Sequence, residues 1–218
     1  MMHADSDRII FVSGTDTDAG KSYATGWLAA RLAAQGSRVA TMKFVQTGNT
    51  DSSEDIEVHR RLMGCPALPE DAEGLTAPEI FTYPASPALA AKIDGRPIDI
   101  ARIVRSMNAV AERYDTLLVE GAGGLMVPLD YNGYLTIDFV ADNRLPVTLV
   151  SNGKLGSINH TLLALEALRA RGIRLHSLLY NTYFDYDATI ARDSLDYMTM
   201  WVEKYFPGAE VLCVPSLK

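Results

Sequence analysis

The run Gly14-Thr15-Asp16-Thr17-Asp18-Ala19-Gly20-Lys21-Ser22 constrains this chain more than any other segment. It follows a short apolar stretch, Arg8 to Ser13, and precedes Ala24, Trp27, Leu28 and Leu32 at helical spacing. That pattern predicts a buried strand, a glycine-bearing turn and a helix that stops at Gln35-Gly36. A loop of this kind turns converging backbone amides and the positive end of a helix toward an anion. Lys21 then supplies a cation for β- and γ-phosphate oxygens, and Ser22 a hydroxyl for Mg²⁺. Five residues separate Gly14 from Gly20, one more than the common phosphate-loop pattern has.

Further apolar runs read as strands: Arg38 to Met42, Thr116 to Val119, Val147 to Val150 and Leu175 to Leu179. Asp99–Arg113, Ile158–Arg171 and Ala188–Tyr205 read as amphipathic helices. Strand and helix alternate, so the expected fold is α/β: a mostly parallel sheet with helices on both faces, of the P-loop NTPase type. The 218 residues suit a single domain spanning 1–218. The rhythm breaks between Gly64 and Pro97, where six prolines cluster, and a long irregular connection is expected there.

Two further strand ends carry chemistry. Glu120 leaves the strand Thr116–Val119 and is followed by Gly121-Ala122-Gly123-Gly124. Ligands in open parallel sheets bind at such carboxyl ends, and a carboxylate there suits a hard cation; the bland alternative is a tight glycine turn. Lys43-Phe44-Val45-Gln46-Thr47-Gly48 follows the second strand. A lysine there adds positive charge beside the phosphates, which favours transfer to an anionic acceptor. Asp55 begins the next helix and completes a candidate metal set. Taken alone, Lys43 also fits a solvated strand end, and Asp55 a first-turn charge.

Together these segments resemble dethiobiotin synthetases. Gly14-Thr15-Asp16-Thr17 with Gly20-Lys21-Ser22 is similar to that family's variant phosphate loop, extra residue included. Lys43 to Gly48, Ser86-Pro87, Gly95-Arg96-Pro97 and Val119 to Gly124 follow in the family's order. Lys154-Leu155-Gly156-Ser157-Ile158-Asn159-His160 resembles its Lys-Leu-Gly-x-Ile-Asn-His stretch.

The resemblance implies an ATP- and Mg²⁺-dependent cyclo-ligase that forms carbon–nitrogen bonds. Its substrates would be 7,8-diaminopelargonic acid and CO2, its product dethiobiotin, and its assembly a homodimer with shared active sites. Lys21, Lys43 and Thr17 are implied as catalytic, and Ser22, Asp55 and Glu120 as metal ligands. Asp18, Ala19, Gly20, Lys21, Ser22, Tyr23, Glu120 and Asn181 would hold the nucleotide, Asn181 reading its base. Thr17, Lys43, Thr47, Gly156, Ser157, Asn159 and Tyr197 would contact the substrate, the residues from Gly156 to Asn159 from the partner subunit. Asn at a strand end is also a common turn former.

Departures from the family pattern are Phe44 in place of a proline and the lack of a proline soon after Asn181-Thr182-Tyr183. With the chain ending at Lys218, they predict a base preference less strict than adenine. His3, His59 and His176 show no metal-ligand spacing; His160 reads as a packing or capping residue. Cys65 and Cys213 read as packing thiols of a reducing compartment. Asp16 and Asp18 fit solvated loop acids as well as general bases. A net charge of −7, from 27 acidic and 20 basic residues, argues against nucleic acid. No run approaches the ~18 apolar residues of a membrane span, and Met1 to Arg8 has no apolar h-region, so a cytoplasmic protein is expected.

Two other classes compete. A related ATP-dependent amide-forming ligase would need an ammonia source, and no glutaminase Cys–His arrangement is visible. A P-loop ATPase switch would carry a second lysine five positions before the loop lysine, where this chain has Asp16.

Overall fold

The computed structural model describes residues 8–216. Met1 to Asp7, with His3, and the last two residues, Leu217 and Lys218, lie outside the described residues.

The chain starts with β1 (Ile9–Gly14), the phosphate-loop segment, α1 (Lys21–Ala34) and β2 (Val39–Lys43). The two-residue strand β3 (Gln46–Thr47), α2 (Glu54–Met63), α3 (Pro69–Ala72), β4 (Ile80–Phe81) and α4 (Pro87–Ile93) come next. Then α5 (Ile100–Ala111), β5 (Thr116–Gly124), α6 (Thr136–Asp142), β6 (Val147–Asn152) and α7 (Ser157–Ala170) follow. The chain closes with β7 (Leu175–Asn181), a 3₁₀ turn at Thr182–Phe184, α8 (Ala188–Tyr205) and β8 (Glu210–Val214).

Six strands form one parallel sheet in the order β2-β5-β1-β6-β7-β8. Strand alternation divides the core between its two faces. Phe11, Leu117 and Val119 turn to one side and pack with Ile103 and Met107 of α5, Phe139 of α6, Leu165 of α7 and Met198 of α8. Ile10, Val12 and Leu118 turn to the other side and meet Ala24, Leu28 and Ala29 of α1. Burial of large apolar side chains on both faces, each contributing ~1.5–3 kcal/mol, holds such a sheet between helices. From β1 the chain crosses to β2 on one side and later returns to β6 on the other. The carboxyl end of β1 therefore lies at a topological switch point, where open α/β sheets hold ligands.

The proline-rich connection is more ordered than its composition implies. Pro69 and Pro87 stand at the starts of α3 and α4, where a missing N–H costs nothing and the fixed φ favours the first turn. Between them β4 pairs in parallel with β3, outside the main sheet. The short helix α6 also carries no clear periodic signal in seven residues. Cys213 lies exposed on the edge strand β8, so it is not the packing residue expected.

Helices α1 and α2 approach closely at Gly26, where an added Cβ would stand 2.8 Å from Leu62 Cδ1 and 3.2 Å from His59 Cα. Gly26→Val is therefore expected to lower stability by about 2 kcal/mol through overpacking, measured by urea denaturation. An unchanged midpoint would contradict this close helix contact.

Candidate active site

A cavity of about 820 Å³ opens at the carboxyl ends of β1, β2 and β5. Thr17, Asp18, Gly20, Lys21, Ser22, Tyr23, Lys43, Thr47, Asp55 and Glu120 all line it. Val45, Gln46, the Pro84–Pro87 turn, Ala122, Gly123, Val127 and Phe184 complete its wall. The turn before α4 thus forms part of the site, although proline clustering alone reads only as irregular chain.

Gly20 takes a left-handed φ of 86° as α1 begins, and no side chain caps the helix. The first-turn amides are therefore available to an anion. An added Cβ at Gly20 would stand 2.2 Å from Asn181 Nδ2, so side chain and loop are fitted together. Asn181 Nδ2 donates to the Ala19 carbonyl at 3.1 Å, and its Oδ1 accepts from the Tyr183 amide at 3.1 Å. Asn181 and the buried Ala19 do not line the cavity; in this structure the Asn181 amide secures the loop.

Lys21 is buried and its stem crosses Gly14, where a Cβ would meet Lys21 Cγ at 3.0 Å. Its Nζ donates to the carbonyls of Asp16 (2.9 Å) and Thr17 (3.0 Å). Burial, with the nearby charge of Lys43, lowers its pKa to about 8 despite the opposing pull of Glu120 and Asp55.

The centre of the site follows from register. Lys43 pairs with Glu120 across β2 and β5, and parallel pairing places both side chains on the face toward α1 and α2. Lys43 Nζ lies 2.8 Å from Glu120 Oε1 and 2.5 Å from Asp55 Oδ2. Burial opposes the charge on Lys43, but the two carboxylates overcome it and raise the pKa. Burial would likewise raise the pKa of Glu120, which is fully buried. Lys43 and a hydrogen bond from His59 instead hold it well below the usual carboxylate range. Asp55 reaches the centre from the first turn of α2, which Ser53 caps through the Ile56 amide.

Ser22 Oγ lies 2.6 Å from Asp55 Oδ1 and 3.0 Å from Glu120 Oε1. A hydroxyl has one proton and cannot donate fully to both, so one close oxygen pair lacks a bridging proton. Three oxygens converging with that deficit fit a hard cation. No group of three or more His, Cys, Asp or Glu suited to a metal exists among the described residues. Two carboxylates and a hydroxyl are the kind of set that holds Mg²⁺ together with substrate phosphates.

His59 was not legible as a site residue from metal spacing. It is fully buried, with Nε2 2.6 Å from Glu120 Oε2 and Nδ1 3.0 Å from Thr41 Oγ1. Its position four residues after Asp55, on the same helix face, was the available signal. Gly156, Ser157, Asn159 and Tyr197 do not line this cavity. Gly156, Asn159 and Tyr197 are exposed, whereas Ser157 is buried with its hydroxyl unpartnered.

Residues 8–215 match the family model described as an AAA domain. The chain is 42% identical to ATP-dependent dethiobiotin synthetase BioD 2 of Pasteurella multocida, over 92% of this chain and 94% of that protein. It is 45% identical to ATP-dependent dethiobiotin synthetase BioD 2 of Haemophilus ducreyi, over 94% and 97%. The chain belongs to the dethiobiotin synthetase family. Dethiobiotin synthetases are ATP-dependent ligases of biotin synthesis, and the cavity just described is this member's candidate active site.

Among solved structures, a ParA family ATPase from Chlorobium tepidum TLS superposes with a TM-score of 0.54 at 15% identity, covering 96% of this chain and 86% of that one. FlhF gives 0.54 at 14% identity, covering 98% and 67%. At that identity these neighbours show the P-loop NTPase-type fold and nothing finer.

Burial of Lys21 gives this cavity a pH dependence. Below about 8 the buried ammonium is charged in the folded chain. Between that value and the ordinary 10.5 the unfolded chain alone retains the proton, so this group favours folding increasingly as pH rises through the window. A polyphosphate bound beside Lys21 would restore the charge. ADP binding near pH 8 is therefore expected to take up protons, measured by calorimetry in buffers of different ionisation enthalpy. The uptake should vanish near pH 6 and in Lys21→Arg, which stays charged. Proton-neutral binding of the unaltered protein at pH 8 would contradict the assignment.

Proposed function

We propose that this chain carboxylates 7,8-diaminopelargonic acid with CO2 and closes the cyclic urea of dethiobiotin, converting ATP to ADP and phosphate. The observation that carries the reading is Lys43: a buried cation at a strand end, joined to two carboxylates, beside a second buried lysine on the phosphate loop. Simple hydrolysis has less need of this second positive charge than transfer to an anionic acceptor has.

In this reading one substrate amine attacks CO2, loses a proton and becomes a carbamate. A carbamate oxygen then attacks the γ-phosphorus, and the bond to the ADP oxygen breaks, giving a carbamic–phosphoric anhydride. The second amine attacks the carbamoyl carbon, phosphate leaves, and a proton is released as the five-membered ring closes. No covalent bond to the protein is needed, so the protein contributes position and charge.

Lys21 grips the phosphates, and Lys43 bridges carbamate and γ-phosphate. Thr17 and Thr47, which line the cavity, contact the diamine–carbamate end of the substrate in this reading. Ser22, Asp55 and Glu120 would hold Mg²⁺, which supplies charge neutralisation for the phosphate oxygens when bound. Asn181 secures the loop and, once the nucleotide is present, contributes to the base site.

The family segment from Gly156 to Asn159, together with Tyr197, lies away from this chain's own cavity. That separation supports a homodimer in which the partner supplies these contacts. Exposed Leu155, Leu163, Tyr197 and Met200 offer apolar area for such an interface. No described helix is long and apolar enough to cross a membrane, and we assign the reaction to the cytoplasm.

Incubation with 7,8-diaminopelargonic acid, bicarbonate and MgATP or MgCTP should yield dethiobiotin by mass spectrometry. Nucleotide turnover that ignores the diamine would overturn the reading. Lys43→Ala should retain ADP binding within about threefold while ring closure falls at least ~100-fold, the scale of one lost transition-state contact. Loss of ADP binding alone would instead make Lys43 part of the phosphate cradle.

A further inference from the structure

We propose that His59 is the positioning residue of the metal-facing carboxylates: it fixes the rotamer of Glu120 and sets its separation from Asp55. The proposal rests on the reading of Ser22, Asp55 and Glu120 as the metal set.

Both ring nitrogens of the buried His59 have polar partners. Arg60 donates through Nη1 to Thr41 Oγ1 at 2.8 Å, and its Nε and Nη2 hold Asp71 at 2.8 and 2.6 Å. Arginine only donates, so Thr41 receives that proton and keeps its own hydroxyl hydrogen to give. The same hydroxyl lies 3.0 Å from His59 Nδ1. An ionised carboxylate only accepts, so the proton between His59 Nε2 and Glu120 Oε2, 2.6 Å apart, resides on the ring. Arg60, Thr41, His59 and Glu120 Oε2 thus form one continuous buried chain of polar contacts.

This arrangement has two geometric consequences. Oε2 is consumed beneath the site, which leaves Oε1 as the oxygen shared with Ser22 and Lys43. His59 also lies one turn beyond Asp55 on α2. Its bond to Glu120 therefore ties the helix carrying one carboxylate to the strand carrying the other. Both meet at Ser22 Oγ, so slack in this tie would spread the oxygen set. A buried polar pair of this kind stabilises less than apolar packing of similar volume; its specific consequence is orientation. Outer partners that orient a ligand change metal affinity about 10–100-fold when removed.

The test is Mn²⁺ binding to the full chain in the presence of ADP, followed by electron paramagnetic resonance, with metal-free ADP binding and melting temperature measured alongside. His59→Leu should weaken Mn²⁺ at least ~10-fold while metal-free ADP binding changes less than twofold. His59→Gln, whose amide can still donate to Glu120, should recover most of that loss even if both variants melt at the same temperature. Equal Mn²⁺ affinity in His59→Leu and the unaltered protein would overturn the positioning role. So would equal loss in the Leu and Gln variants. If His59→Leu does not fold, Thr41→Val is the second variant: it frees the ring and should weaken Mn²⁺ several-fold, and no change overturns the proposal. Glu120→Gln separates the underlying reading: if it leaves Mn²⁺ affinity intact, the metal set itself is wrong.

Discussion

The pairing of Lys43 with Glu120 across β2 and β5 is the contact on which the rest of the site depends. Neither charge is tolerable alone at that depth, because an uncompensated buried ion costs several kcal/mol. Placed opposite each other they neutralise, and Asp55 and Lys21 complete a balanced set of two cations and two carboxylates. The register that creates this pair is fixed by the apolar residues behind it. A slip of one residue would turn Thr41 and Lys43 into the core occupied by Ala40 and Met42. Core packing and active-site charge are thus specified by the same strand alternation.

That dependence explains which features were legible in the sequence. The phosphate loop, Lys43 and Glu120 are local signals: each is a charged or glycine-rich segment leaving a short apolar strand. The expected strands and long helices recur with small shifts at their ends, as Arg38–Met42 against Val39–Lys43. Ala188–Tyr205 keeps its bounds, helped by Asp187, which accepts from the Thr189 and Ile190 amides. Such caps and periodicities need no long-range information.

The remainder was hidden because its meaning is tertiary. His59 is an ordinary helix residue until α2 docks on Thr41 and Glu120. The Pro84–Pro87 turn lines the cavity only because β4 pairs with β3 and α4 starts at Pro87. Asn181, expected as a base contact, is engaged with the Ala19 carbonyl, a partner 162 positions away in sequence. Composition was similarly uninformative about local field: a chain of net charge −7 gathers two buried lysines where a polyanion would bind.

In the function proposed above, the cavity serves one chemical event, attack of a substrate-derived carbamate on the γ-phosphate between Lys21 and Lys43. Following the oxygen tests it most directly. With the diamine, ATP and ¹⁸O-labelled CO2, at times short against exchange with water, one labelled oxygen should appear in the released phosphate and one in the urea of the product. Phosphate free of the label, alongside labelled product, would contradict carbamate attack.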